Sequence, residues 1–231
     1  MCVKVSMRNA RLAGILYLFV IVFGIFAELY VNLKLIVLGD ASATASNILA
    51  FESLFRIGFI SGLLHHTCFL LLVLILYRLL KEVNKNAALL MMVFGLSAVP
   101  IMMFNMLNQF AGLLILSGLD YLSVFSMEQL NALALLFFDL YSYGYFIAGI
   151  FSGIFLLPLG FLVFKSRFMP KTLGILVMLG CFGYLLEIFA VFVLPSFELL
   201  AFLGLAVTVI AEFSLTLSLL LRGIKEEQLD G

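Results

Sequence analysis

Ten polar side chains embedded in apolar segments are the residues of this chain that could do chemistry: Glu28, Glu52, Arg56, His66, Asn105, Asn108, Asp139, Tyr143, Glu187 and Glu212. A charge at the centre of a bilayer costs roughly 2.5–3.5 kcal/mol on insertion scales. Such groups therefore face the protein interior, a partner or water. Their spacing groups them. Glu52 and Arg56 are an i,i+4 pair on one helical face, as are Asp139 and Tyr143. Asn105, Asn108 and Gln109 follow i, i+3, i+4 spacing. On a wheel at about 100° per residue, Glu52 falls between Arg56 and His66, whereas His65 points elsewhere. Thr208, Glu212 and Thr216 form one stripe, and Gly183, Tyr184 and Glu187 form a patch suited to close approach.

Several carboxylates with one arginine suit the capture of a cation or a small polar solute, with Glu28 and Glu187 supplying negative charge and Arg56 balancing it. Asp139 would stand at the mouth, and Glu212 would be a deeper protonatable group. A second chemistry is an intramembrane enzyme acting on a lipid or isoprenoid, with Glu28, Glu187 and His66 as acid–base or metal groups. A third reading has no catalysis: the acids are neutralised by Arg56, the amides are interhelical glue, and Glu212 bonds to Thr208. In that reading Glu52 and Asp139 are solvated helix-end acids and His66 is a satisfied interior histidine. Metal hydrolysis has little support. The only histidines, His65 and His66, are adjacent and diverge by about 100° on a helix, and there is no HExxH, GxSxG or phosphate-binding loop. The sequence assigns no cofactor and no metal site. Cys2, Cys68 and Cys181 have no ligand or disulfide spacing.

The elements that carry these groups are set by composition. The chain is 65% hydrophobic and 11% charged over 231 residues. A soluble domain is nearer half apolar and a quarter charged. A span needs about 20 apolar residues, and six fit: 12–38, 54–80, 87–116, 141–164, 171–194 and 198–221. The fold class is all-α, a single polytopic helical membrane domain over 1–231. The first stretch is too long for a signal-peptide core of roughly 7–15 residues. Asp40 reads as the N-cap of a short amphipathic outer helix before span two. Ser126 with Gln129 matches a capping box that opens an outer helix before span four, or one that continues into it. Pro170 suits the first turn of span five, and Pro195 closes it. Pro100 and Pro158 lie inside spans, where kinks are expected.

Charge sets the orientation. Lys4, Arg8, Arg11, Arg78, Lys81, Lys85, Lys165, Arg167, Lys171, Arg222 and Lys225 fall on one side, and only Lys34 and Arg56 on the other. The positive-inside rule makes the first side cytoplasmic and places both termini there. Counted at about 1.5 Å per residue, Glu28 and Glu187 each lie roughly 24 Å from the basic residue that opens their span. The formal net charge is zero, and no basic tail points to nucleic acid. The expected partners are the lipid bilayer and a small polar solute. Gly58 with Gly62 and Gly149 with Gly153 have GxxxG spacing, which suits packing within one molecule or a dimer.

A faint repeat relates the helix pairs. Arg11-x-x-Gly14-Ile15-Leu16 and Phe23-Gly24-x-x-x-Glu28 parallel Lys171-x-x-Gly174-Ile175-Leu176 and Phe182-Gly183-x-x-x-Glu187. Phe51-Glu52-x-Leu54-x-x-x-Gly58 parallels Phe197-Glu198-x-Leu200-x-x-x-Gly204. Chance matching of Gly, Leu and Phe is the alternative; a true repeat would make Glu28 and Glu187 counterparts.

Ala10-Arg11-Leu12-Ala13-Gly14-x-Leu16-Tyr17-Leu18, the run Ala41–Glu52 with Leu54-Phe55-Arg56-x-Gly58, Val83-Asn84, Tyr143-Gly144-Tyr145 and Leu173-Gly174-x-Leu176 carry a resemblance. Together they resemble the bacterial membrane family known as domain of unknown function 4386, from about Arg11 to Arg222. The resemblance implies a cytoplasmic-membrane protein of about six helices and carries no activity with it. His66 falls outside the family pattern. The topology has a direct check in a cysteine-free background. A membrane-impermeant thiol reagent should label Lys34→Cys in intact cells, and Lys81→Cys only after permeabilisation.

Overall fold

Leucine, phenylalanine, isoleucine and valine run around all faces of the long segments, and such segments satisfy their backbone internally as helices in an apolar medium. The computed structural model describes residues 7–166, 169–194 and 196–222. Cys2, Lys4, Arg167, Pro195 and Lys225 lie outside the described residues. The elements are α1 (Met7–Gly24), a π-helical stretch (Ile25–Asn32), α2 (Leu33–Leu35), α3 (Ala41–Ala50), α4 (Glu52–Leu80), α5 (Lys85–Leu116), a single 3-10 turn (Asp120–Leu122), α6 (Met127–Lys165), α7 (Lys171–Val193) and α8 (Glu198–Arg222). Six helical segments are long and apolar enough to cross a membrane: Asn9–Leu35, Glu52–Leu80, Lys85–Leu116, Met127–Lys165, Lys171–Val193 and Leu199–Leu221. This is an all-helical, multi-pass membrane protein.

Local signals act at the positions the sequence marks. The Asp40 side chain accepts from Ala43 N at 2.9 Å and starts α3. Gly39, at φ 74°, makes the preceding turn, which an L side chain would strain. Thr44 and Asn47 then tie α3 back to the first span: Val37 N donates to Thr44 Oγ1 at 2.9 Å, and Asn47 Nδ2 donates to the Leu35 carbonyl. The capping box forms in full. Ser126 N donates to Gln129 Oε1 at 2.9 Å, and Gln129 N to Ser126 Oγ at 3.3 Å. From there α6 runs unbroken for 39 residues, so the outer helix before span four is continuous with the span. Nothing between Met127 and Tyr141 interrupts it: there is no proline or glycine. Pro100 and Pro158 both lie inside continuous helices.

The chain forms two compact units. The first comprises the described residues of 1–18, 68–99 and 147–231. Within it α7 packs along α8, with Gly183 against the Gly204 carbonyl and Thr208, and Thr208 Oγ1 donates to the Gly180 carbonyl at 3.2 Å. Helices α6 and α7 cross at Gly160 and Gly174. The second unit comprises 19–67 and 100–146. Its core is Val31, Leu35, Ile48, Phe55, Leu113 and Phe138, with the Phe55 and Phe138 rings edge to face at 5.8 Å. Both GxxxG pairs face partners within the molecule: Gly58 meets Val31, Gly62 meets Met106, Gly149 meets Ile188 and Gly153 meets Tyr184.

The crossing of α6 and α7 makes a quantitative expectation. A Cβ on Gly174 would lie 2.5 Å from the Phe164 nitrogen and 2.7 Å from the Gly160 oxygen, so backbone would have to yield. Gly174→Ala should lose about 1–3 kcal/mol to overpacking. At Gly149 the nearest atom would be 3.5 Å away, so Gly149→Ala should be neutral or gain up to about 1 kcal/mol of helix propensity. Thermal unfolding of the two variants in detergent decides this.

Candidate functional site

Glu28 is the focus of the second unit. It projects from the π-helical stretch, half-buried. Each carboxyl oxygen takes a hydrogen bond. Tyr141 of α6 donates its hydroxyl to Oε1 at 2.5 Å, and Asn32, one turn along, donates Nδ2 to Oε2 at 2.8 Å. The network continues outward from both donors. Gln109 Nε2 donates to Asn32 Oδ1 at 3.1 Å, Asn105 Nδ2 donates to the Tyr141 carbonyl at 2.8 Å, and Asn108 Nδ2 donates to Asn105 Oδ1 at 3.0 Å. Two elements thus meet at one carboxyl group, and α5 holds both of its donors.

The surroundings hold these donors in place. Tyr141 is buried, with only 2% of its surface exposed, and so are Asn105 and Gln109. The Asn105 amide lies against Gly144, where any side chain would occupy the same space as its oxygen. Glycine at 144 is therefore the condition for Asn105 to reach the Tyr141 carbonyl one turn away.

Arg56 does not balance Glu28. Its Nε lies 2.7 Å from Glu52 Oε1 in its own helix, and both side chains are about half exposed. No ion pair to Glu28 exists among the described residues. Its immediate partners are a phenol and an amide, which stabilise a carboxylate by donation but do not cancel its charge. Two of its lone-pair positions remain open beyond those bonds.

The other expected site residues fall in several places. His66 is buried, and its ring meets that of His65 edge to face at 4.6 Å. His65 itself has a defined partner: Nδ1 sits 2.7 Å from the Val20 carbonyl. Asp139 is half-buried on α6, and the Tyr143 side chain is 51% exposed. The hydroxyl that reaches Glu28 belongs to Tyr141 instead. Asn32 and Tyr141 are the two residues that sequence reasoning passes over. Asn32 is legible as the i+4 neighbour of Glu28. Tyr141 is not, because it is one of several aromatic residues in α6 and its face is chosen by α6 packing against α5.

Glu187 and Glu212 belong to the first unit. Glu187 is half-buried where α7 meets Gly204: a Cβ at 204 would lie 2.9 Å from the Glu187 nitrogen. Glu212 faces the buried Tyr17 hydroxyl of α1. Thr216 Oγ1 caps the Glu212 carbonyl at 2.8 Å. Among the described residues, no three His, Cys, Asp or Glu side chains come together as a ligand set for a metal. Cys68 and Cys181 are free thiols.

Residues 12–223 match the family described as domain of unknown function DUF4386, and the chain belongs to it. A curated relative from Archaeoglobus fulgidus, described as an uncharacterized protein, is 31% identical over 112 residues, 48% of this chain and 53% of the relative. The chain thus spans about half the length of that relative. No solved structure matches.

The Glu28 network predicts a large pairwise coupling. In a double-mutant cycle of Glu28→Gln and Tyr141→Phe, the coupling should be about 1.5–3 kcal/mol, the range for hydrogen bonds to charged groups. Arg56→Gln should change stability by only about 0–1 kcal/mol, as an exposed pair does. Equilibrium unfolding in mixed micelles measures both, and a cycle that closes to zero would show that Tyr141 and Glu28 are not coupled.

Proposed function

We propose that this protein binds a small cationic or polar solute at Glu28 and carries it through the cytoplasmic membrane. One observation supports the reading above the others: a carboxyl group inside a membrane-spanning segment is furnished with two donors and, among the described residues, no protein cation. A lone ionised carboxylate in an apolar medium is expensive. The donors reduce that cost, and the remaining imbalance is one positive charge, which a bound cation or a proton supplies. The buried amides, Asn105, Asn108 and Gln109, orient the donors and set the shape of what can approach.

On the orientation that the loop charges predict, Glu28 lies in the outer half of the membrane, so the solute enters from outside. Asp139 and Tyr143 guide the approach on α6. Glu212, opposite the buried Tyr17 hydroxyl, is the group we assign to proton coupling, and Glu187 is the counterpart acid of the first unit. Such a protein works as a carrier or receptor and carries out no covalent chemistry.

The reading is tested with purified protein in nanodiscs, by thermal unfolding at constant ionic strength in a panel of sodium, potassium, ammonium, methylammonium and guanidinium chlorides. Saturable binding to the folded state at about 100 times Kd is worth roughly 2.7 kcal/mol, which for a chain of this size moves Tm by about 2–4 °C per kcal/mol. One class of cation should raise Tm saturably in the wild type and fail to do so in Glu28→Gln. Equal responses in the two proteins, or none in either, would reject Glu28 as a cation site.

A further inference from the structure

The site depends on an irregular stretch of helix. Ile25–Asn32 is π-helical, while the residues before and after it are α-helical. Where an i→i+4 ladder becomes i→i+5, one extra residue enters the turn and the backbone bonds at the junctions no longer pair one to one. In an apolar medium such an irregularity is held by polar groups of neighbouring helices. Two side chains of α4 bond to carbonyls of α1 just ahead of the stretch. Ser61 Oγ donates to the Phe23 carbonyl at 3.1 Å, and His65 Nδ1 donates to the Val20 carbonyl at 2.7 Å. The Phe23 carbonyl lies two residues ahead of the π stretch and the Val20 carbonyl one turn before that. Ser61 and His65 are themselves four residues apart, on one stripe of α4. Bonding to a carbonyl requires the hydrogen of His65 to sit on Nδ1. Gly24 makes room for the ring, since a Cβ there would stand 2.8 Å from His65 Nδ1.

The extra residue has a geometric consequence. Inserting one residue into a turn rotates the downstream part of the helix by about 100°. The parallel sequence in α7 shows the uninterrupted version. There Gly183 and Glu187 lie on a regular α-helix, and Gly204 of the next helix closes on the Glu187 backbone and Cβ. In the first pair the corresponding glycine, Gly58 of α4, closes on Val31 instead, and Glu28 turns to Tyr141 and Asn32.

We infer that Ser61 and His65 are positioning residues for the Glu28 site: by holding the Phe23 and Val20 carbonyls they maintain the π-helical turn that aims Glu28 at Tyr141. The importance of this role rests on Glu28 being the binding group, but its structural test needs no solute. His65, which the helical wheel sets apart from the polar face, is then essential to the site without touching what binds there.

The experiment uses the full chain in nanodiscs with two readouts. One is amide hydrogen exchange across residues 21–30. The other is the infrared C–O stretch of Tyr141, isolated as the difference between each protein and the same protein carrying Tyr141→Phe. In the Ser61→Ala, His65→Ala double variant, exchange over 21–30 should rise about tenfold or more, the signature of a locally opened segment. Peptides of α7 and α8 should stay as in the wild type, and the Tyr141 band should move to that of a phenol without its carboxylate acceptor. Because an asparagine amide places its donor near the position of His Nδ1, His65→Asn with Ser61 intact should restore both readouts. Wild-type exchange and an unmoved band in the double variant would overturn the proposal, as would exchange that rises equally in α7 and α8. If the double variant does not fold, Gly24→Ala displaces the same ring from the other side; it should move the Tyr141 band, and an unmoved band there overturns the proposal equally. A moved band together with no cation response in the wild type would leave the positioning role standing and remove the solute reading.

Discussion

A carboxyl group in an apolar span must find its partners inside the protein, and the arrangement around Glu28 is a consequence of that constraint. The arginine on the neighbouring helix is engaged with Glu52. Tyr141 and Asn32 take the place of solvent, one donor for each oxygen. Those donors would themselves be costly if they were free to turn away, so each is held in turn. The Tyr141 backbone is gripped by Asn105, which is pressed against Gly144, and Asn32 accepts from Gln109. The polar network is extensive because each buried polar group that solves one problem creates the next, until the chain of donors ends.

The same logic explains why glycine recurs at the contacts that matter. Gly144 admits an amide, Gly24 admits an imidazole, and Gly58 admits the Val31 side chain that closes the hydrophobic core over the site. Helices in lipid gain little from burying apolar surface against one another, so close approach and hydrogen bonds drive association instead. In the second unit those two devices coincide. The residues that let helices approach are also the ones that let polar side chains reach across.

Legibility in the sequence depends on how local each feature is. The six spans, the Asp40 cap of α3 and the Ser126–Gln129 capping box are set by residues a few positions apart, and they read directly. The choice of Glu28, Asn105 and Asn108 as interior groups also comes from composition alone, since each is a polar residue in an apolar run. The roles of Arg56 and Tyr141 do not. An arginine with acids four residues away and on other helices has several possible partners; the one in its own helix needs no tertiary geometry, and it prevails. For α6, the i,i+4 pair Asp139 and Tyr143 suggests a polar face, yet packing against α5 turns Tyr141 inward. The π-helical stretch is not legible at all. Ile25–Asn32 contains no glycine or proline and no residue peculiar to π-helices. It is stabilised by Ser61 and His65, more than thirty residues away, and a long-range cause leaves no local signature.

The two glutamate-bearing helix pairs show what that irregularity accomplishes. Their sequences run in parallel through Gly24 and Gly183, Glu28 and Glu187, Gly58 and Gly204. In the regular pair, Gly204 packs onto Glu187 and the acid lies along the seam between helices. In the π-containing pair the glycine meets Val31, one turn beyond the acid, and Glu28 is delivered to the Tyr141 phenol of α6 and to the Asn32 amide of its own stretch, which Gln109 of α5 holds in turn. Sequence likeness therefore does not make the two acids equivalent. A few hydrogen bonds from α4 to the backbone of α1 turn the first into the centre of a polar network, whereas the second remains at a packing contact. Ser61 stands where the second pair has Val207, and His65 where it has Ala211. The second pair therefore lacks these two side chains; there Thr208 donates to the Gly180 carbonyl, and α7 is a regular helix throughout.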